Sequence, residues 1–271
     1  MSDRQNYILG TDAAEIERLR FQHDVWIAAS MAIWQRSGFG AGDRVLDLGC
    51  GPGFTSLALA SMVGPGGHVL ARDQSEGFLA FLDAECARRG IANVQASLGP
   101  VEELDLPAGE LDGVYSRWLF CWLPDPEAVL GCVARGVRSG GTIALQEYVD
   151  WGAMAMLPPS DTFDGAVAAC MDSWHGGAGT IDVGAHLPSM AEACGLRVES
   201  VRPVSRIGAV GSLEWRWLEQ FLWSYLPKLV DSGSYPEAEW AAFRDEWLAR
   251  ASSAASHVKT PTMADIVLRK N

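Results

Sequence analysis

The chain has 271 residues, with 21 Lys and Arg against 34 Asp and Glu and a formal net charge of −13. That balance argues against a general nucleic-acid binder and against docking on anionic membranes, because both rely on basic patches. Only three lysines occur (Lys228, Lys259, Lys270), and no basic run exists. The length, with 48% hydrophobic residues, predicts one large domain whose core needs no metal or disulfide staple.

No apolar run approaches the ~20 residues of a membrane span. The start, Met1-Ser2-Asp3-Arg4-Gln5-Asn6, lacks the basic-then-apolar pattern of a signal peptide. The six cysteines (Cys50, Cys86, Cys121, Cys132, Cys170, Cys194) are far apart, with no C-x-x-C. A cytoplasmic protein with buried thiols is expected.

In chain order, the first forty residues read as helix. Thr11 or Asp12 caps it, Glu15 lies in its first turn, and Gly38, Gly40 and Gly42 end it. A short apolar strand follows at 44–48, stopped by Gly49. Residues 55–62 read as helix, 68–71 as strand, 75–89 as helix ended by Gly90, and 93–98 as strand. A fourth strand covers 111–116. A helix opened by Asp125-Pro126 covers 124–137, and a fifth strand covers 142–148. Strands alternating with helices predict a parallel α/β sheet covered on both faces.

Past Asp150 the rhythm breaks. Residues 151–180 read as irregular, 184–193 as helix, 196–204 as strand, 212–256 as two aromatic-rich helices and 263–269 as a last strand. The expected organisation is a single domain over 1–271. Residues 1–42 form an N-terminal helical cover, 43–150 a ligand-binding core, and 151–183 and 212–256 helical insertions over the strand ends. Packing of the second insertion on the sheet edge remains the other reading.

The informative segment is Asp47-Leu48-Gly49-Cys50-Gly51-Pro52-Gly53, where a strand meets a glycine turn that opens a helix. In doubly wound sheets, ligands bind outside the carboxyl ends of strands at such a point. A dinucleotide fingerprint wants glycine at position 54, which is Phe54. Asp73 ends the second strand twenty residues past Gly53, where a carboxylate can accept both hydroxyls of a ribose.

Asp47-x-Gly49-x-Gly51-x-Gly53, followed by Asp73-Gln74-Ser75, resembles the class I S-adenosylmethionine-dependent methyltransferases, among them bacterial small-molecule members. The likeness continues through Leu104-Asp105-Leu106-Pro107, Leu111 to Trp118, Leu123-Pro124-Asp125-Pro126 and Gly140-Gly141-Thr142. It implies a Rossmann-like, doubly wound seven-stranded sheet whose last strand is antiparallel. The helical insertions would form a lid.

The resemblance also implies roles. Gly49, Gly51 and Gly53 would border the methionine part of S-adenosylmethionine, with Asp47 ordering the turn. Asp73 would hold the ribose, Gln74 would pack beside the adenine and Val101 would offer it a backbone N–H. Ser116 would lie near the methionine end, and Tyr7 and Gln22 would close over the cofactor. Where the family commonly has Gly-Asp, this chain has Gly99-Pro100. The adenine contact is then lost or moved to Glu102, a difference of about one hydrogen bond, on the order of 1 kcal/mol.

The implied reaction is in-line transfer of the methyl group to a small-molecule acceptor, leaving S-adenosylhomocysteine. Candidate proton acceptors are His175 between Trp174 and Gly176, Asp24 on the first helix, and Glu147 ending the fifth strand. His23 and Asp24 are adjacent on a helix and do not share a face. The five histidines show no metal-ligand spacing, so no metal is expected.

Eleven tryptophans are present, and Trp118, Trp122, Trp151 and Trp174 fall in segments expected to face the acceptor. That favours an aromatic acceptor such as a phenol, indole or amine. Trp215, Trp217 and Trp223 read as core of the insertion. The aromatic helices at 212–248 also suit a homodimer surface. The competing readings are a cofactor-binding regulator or scaffold without activity, and a protein or RNA methyltransferase.

Overall fold

The computed structural model describes residues 12–174 and 179–271. Two of the residues singled out above, Tyr7 and His175, lie outside them.

Helix α1 (Ala13–Ser37) starts where the Asp12 side chain accepts the Glu15 N–H, and it ends at Gly38, which is left-handed with φ 79°. Five parallel strands follow: β1 (Arg44–Leu48), β2 (His68–Asp73), β3 (Val94–Leu98), β4 (Leu111–Arg117) and β5 (Val137–Asp150). Helices α2 (Phe54–Val63), α3 (Glu76–Arg89) and α4 (Pro126–Gly136) connect them. Asp125 caps α4, with Pro126 in its first turn, where a missing N–H costs nothing.

The remaining elements are β6 (Ala155–Leu157), α5 (Asp161–Asp172), α6 (Leu187–Ala193), β7 (Leu196–Val204), β8 (Ile207–Ala209), α7 (Leu213–Asp231), α8 (Glu237–Ala251), β9 (His257–Lys259) and β10 (Thr262–Lys270). The main sheet has seven strands in the order β3-β2-β1-β4-β5-β10-β7, with β10 antiparallel to both neighbours. The sheet matches the expected Rossmann-like architecture, last strand included.

Alternation along β1 sorts its side chains between the two faces. Val45 packs with Ile33, Trp34, Leu59 and Val63 from α1 and α2. Leu46 and Leu48 pack with Leu130, Val133 and Leu187 from α4 and α6. A third apolar layer joins Val25 and Trp26 of α1 to Phe163 of α5, to Trp215, Trp217 and Leu222 of α7, and to Trp240, Phe243 and Trp247 of α8. The two segments that interrupt the sheet thus share one core with the N-terminal helix.

Several expectations change. Residues 151–180 are not simply irregular, because Ser160 caps α5 by accepting the Phe163 N–H. The helix expected over 184–193 is a 3-10 turn at Val183–Ala185 and then α6, with Pro188 in the first turn of α6. Strand β5 extends to Asp150 because β10 pairs with it as far as Thr262. A second sheet, β6-β9-β8, uses strands of three residues each, too short for an alternation to show in sequence.

Candidate active site

The glycine turn sits where β1 ends between β2 and β4, so crossovers leave it in opposite directions. The N–H groups of Gly49 and Cys50 both donate to the Arg72 carbonyl oxygen, at 2.9 and 3.0 Å. Gly49, Gly51 and Gly53 all have positive φ (73°, 55° and 80°). A β-carbon at Gly53 would stand 2.4 Å from Leu82, whereas one at Gly51 would meet none of the described residues within 4 Å. Gly53 is therefore constrained by packing, and the backbone at Gly51 is open to close approach.

Two acids flank this turn. Asp73 Oδ2 accepts the Gly51 N–H at 2.9 Å, and its Oδ1 accepts the Ser75 N–H at 2.8 Å. Burial raises the Asp73 pKa, against the lowering effect of those backbone donors. Asp47 is buried beneath the turn and accepts the Ser56 hydroxyl at 2.6 Å. Burial pushes it up to about 7.

The other candidates are placed as follows. Ser116 is buried and its hydroxyl donates to the Leu48 carbonyl at 2.9 Å, tying β4 to β1. Val101 is buried, while Gln74 and Glu102 are exposed. Gln22 is half-buried, and its Oε1 accepts from Arg18 and from the indole of Trp217, each at 3.2 Å. Asp24 is exposed on α1.

Glu147 departs most from expectation. The sequence offers it as a proton acceptor, but it is 0% exposed and its Oε1 accepts the N–H groups of Leu119 and Phe120, both at 2.8 Å. Burial pushes it up to about 8. Its place is beneath the segment that follows β4, which it holds by the backbone.

That segment starts at Trp118, which adopts φ 56° without being glycine. Left-handed backbone costs an ordinary side chain on the order of 1–2 kcal/mol, so the surroundings must enforce it. The Trp118 N–H donates to the Gln146 carbonyl at 3.0 Å, and its indole N–H points to Met263 Sδ at 2.9 Å. The ring stacks on Tyr148 (5.5 Å between centroids, 10°) and on Trp217 (5.9 Å, 18°), and meets Trp26 edge-on at 5.9 Å. Aromatic side chains from β5, α7, α1 and the segment after β4 thus converge at the carboxyl ends of the central strands.

The other tryptophans singled out by position do not join that group. Trp122 packs on Trp174 at 4.2 Å, and Trp151 is buried against Phe221. Trp217, read as insertion core, does join it.

His23 and Arg117 were missed. His23 packs at 5.9 Å from Phe54, the first residue of α2. Burial first, then the Arg117 charge, lower its pKa to about 4, so it is neutral at physiological pH. Among the described residues its buried Nδ1 has no hydrogen-bond partner. A lone helical histidine and a strand-end arginine carry no local signal of such placement.

Among the described residues, no cluster of His, Cys, Asp and Glu suits a metal ion, and no helix is long and apolar enough to cross a membrane.

Residues 45–141 match the family described as methyltransferase domain. Over 104 residues the chain is 38% identical to nocamycin O-methyltransferase of Saccharothrix syringae, covering 38% of this chain and 37% of that protein. Over 122 residues it is 33% identical to aklanonic acid methyltransferase DauC of a Streptomyces species, covering 45% and 56%. The chain spans about a third to just over half of the length of the curated relatives it matches. A solved phosphoethanolamine N-methyltransferase 2 of Haemonchus contortus, in complex with S-adenosyl-L-methionine, superposes with a TM-score of 0.56 at 18% identity, over 90% of this chain and 52% of that one. At that identity the likeness concerns the fold.

Proposed function

We propose that this chain, which carries a class I S-adenosylmethionine-dependent methyltransferase domain over residues 45–141, methylates a small molecule bearing a flat aromatic or heteroaromatic ring. The residues around the glycine turn fit the cofactor. Gly51 leaves its backbone approachable, and Asp73 presents a carboxylate at the end of β2 beside it. Gln74, Val101 and Glu102 are proposed at the adenine, Gly49, Gly53 and Ser116 at the methionine end, and Gln22 and Tyr7 as the cover.

When bound, S-adenosylmethionine supplies a methyl group made electrophilic by its sulfonium sulfur. The chain's own part is to place and orient the acceptor atom and to exclude water. Correct placement of two reactants is worth as much as about 7–11 kcal/mol of a barrier. Ring faces orient a planar acceptor and favour neighbouring positive charge. Where the acceptor atom carries a proton, His175 is the proposed proton acceptor. Glu147 is engaged with the backbone of Leu119 and Phe120, so it is proposed to position Trp118 rather than to act as a base.

The observation that carries the reading is the convergence of Trp118, Tyr148, Trp217 and Trp26 at the carboxyl ends of β4 and β5, beside the strand that bears the glycine turn. One observation favours a second reading, a cofactor-binding regulator without turnover: Pro100 stands where the family's adenine-binding acid is expected. Screening phenols, indoles and amines for acceptor-dependent release of S-adenosylhomocysteine separates the two. Release with an aromatic acceptor supports methyl transfer. Cofactor binding with no release from any acceptor supports the regulator.

A further inference from the structure

Arg117 is the last residue of β4 and is half-buried. Its Nη1 donates to the Ser30 hydroxyl at 3.0 Å, and its guanidinium lies 5.0 Å over the Trp118 ring. Neither partner is charged. Among the described residues, no carboxylate stands within 4.0 Å of it, whereas Arg36, Arg138, Arg206 and Arg269 each pair with an acid. A guanidinium does not lose its proton in proteins, so it cannot relieve partial burial by becoming neutral.

The guanidinium is anchored from one side by an ordered chain of polar groups. Ser30 Oγ lies 2.8 Å from the Tyr115 hydroxyl and donates to Gln146 Oε1 at 2.9 Å. The Tyr115 hydroxyl donates to the same Oε1 at 2.5 Å, and Gln146 Nε2 donates to Asp265 Oδ1 at 2.7 Å. Asp265 in turn is ion-paired with Arg36. This chain fixes one nitrogen of Arg117 and leaves a planar fork of donors, of the kind that binds a carboxylate through two parallel hydrogen bonds.

Its position is between the two halves of the site. It is close enough to act electrostatically on Asp47 below the glycine turn, on His23 of α1 and on Tyr148 at the end of β5. We propose that Arg117 is a carboxylate-binding residue at the boundary between the cofactor and acceptor regions. The inference rests on the methyltransferase reading. The carboxylate comes either from an acidic acceptor or from the amino-acid end of the cofactor. Aklanonic acid methyltransferase, one of the relatives, is named for an acid.

The test is calorimetric titration of wild type, Arg117→Met and Arg117→Lys with three probes. These are S-adenosylhomocysteine, 5′-methylthioadenosine, which lacks the amino-acid end, and 4-hydroxybenzoate added to protein saturated with S-adenosylhomocysteine. Tenfold or greater loss of S-adenosylhomocysteine affinity in Arg117→Met, with 5′-methylthioadenosine unchanged, assigns the cofactor's carboxylate. The same loss confined to 4-hydroxybenzoate assigns the acceptor's. In either case Arg117→Lys falls between, because it keeps the charge without the fork. Unchanged 5′-methylthioadenosine binding also shows that the variant is folded. If neither carboxylate probe loses affinity while 5′-methylthioadenosine binds, Arg117 has another role and the methyltransferase reading stands. If wild type binds neither nucleoside, that reading falls, and this one with it.

Discussion

Glu147 Oε1 accepts the backbone N–H of Leu119 at 2.8 Å, from inside the fold. The same oxygen takes the Phe120 N–H. A strand-end acid thereby fixes the turn that sets Trp118 in its left-handed conformation. Glu147→Gln keeps an acceptor oxygen there and is expected to fold and retain activity. Glu147→Ala leaves two buried donors unpaired and is expected to lose roughly 2–5 kcal/mol and the aromatic arrangement. Denaturant unfolding and acceptor turnover of both variants check this. Equal stability of the two would contradict it.

The pH dependence follows from the direction of the shifts. Burial raises Glu147 to about 8 and Asp47 to about 7, so the folded state binds protons that the unfolded state releases. Their contribution favours folding at low pH. It weakens as pH rises from the ordinary carboxylate range towards about 8, and is level above that. Thermal scans from about pH 4 to about pH 9 should show Glu147→Gln losing less stability over this range than wild type. Parallel profiles would count against the assignment.

Gly51 and Gly53 are expected to separate binding from stability. Gly53→Ala drives a β-carbon towards Leu82 and should destabilise by about 2–4 kcal/mol. Gly51→Ala meets no neighbour among the described residues and should cost only about 1–2 kcal/mol for its positive φ. It should nonetheless weaken S-adenosylhomocysteine at least tenfold, since its methyl group occupies the open approach. Unfolding curves and titrations of the two variants give both readouts, and unchanged affinity in Gly51→Ala would place the ligand elsewhere.

Trp118→Ala removes the ring shared by Tyr148 and Trp217. Turnover of aromatic acceptors is expected to fall at least tenfold, with S-adenosylhomocysteine affinity within about twofold of wild type. Loss of both together would mean that the ring supports the cofactor region instead.

The parallel sheet was legible because each strand is a short apolar run closed by a glycine turn or a capped helix, as at Gly49 and Asp125. Asp12 could be read as a cap for the same local reason. What was not legible is set by distance along the chain. Ser30, Gln146 and Asp265 meet only after folding. Glu147 could be assigned to a strand end, but not to one of its sides. The α5 helix is hidden by Thr162, Gly165 and Val167, poor helix formers that packing against α7 and α8 overrides. Trp217 read as insertion core because its spacing is that of a buried helix face, and nothing local says that Gln22 and Trp118 lie against it.

The measurement that bears most directly on the account is calorimetric titration of the full chain with S-adenosylmethionine and S-adenosylhomocysteine, with NAD as control, repeated on Asp73→Ala. The account predicts micromolar binding of both sulfur ligands, none of NAD, and loss of at least tenfold in the variant. Absence of sulfur-ligand binding to the wild-type chain, or equal affinity in Asp73→Ala, would contradict it.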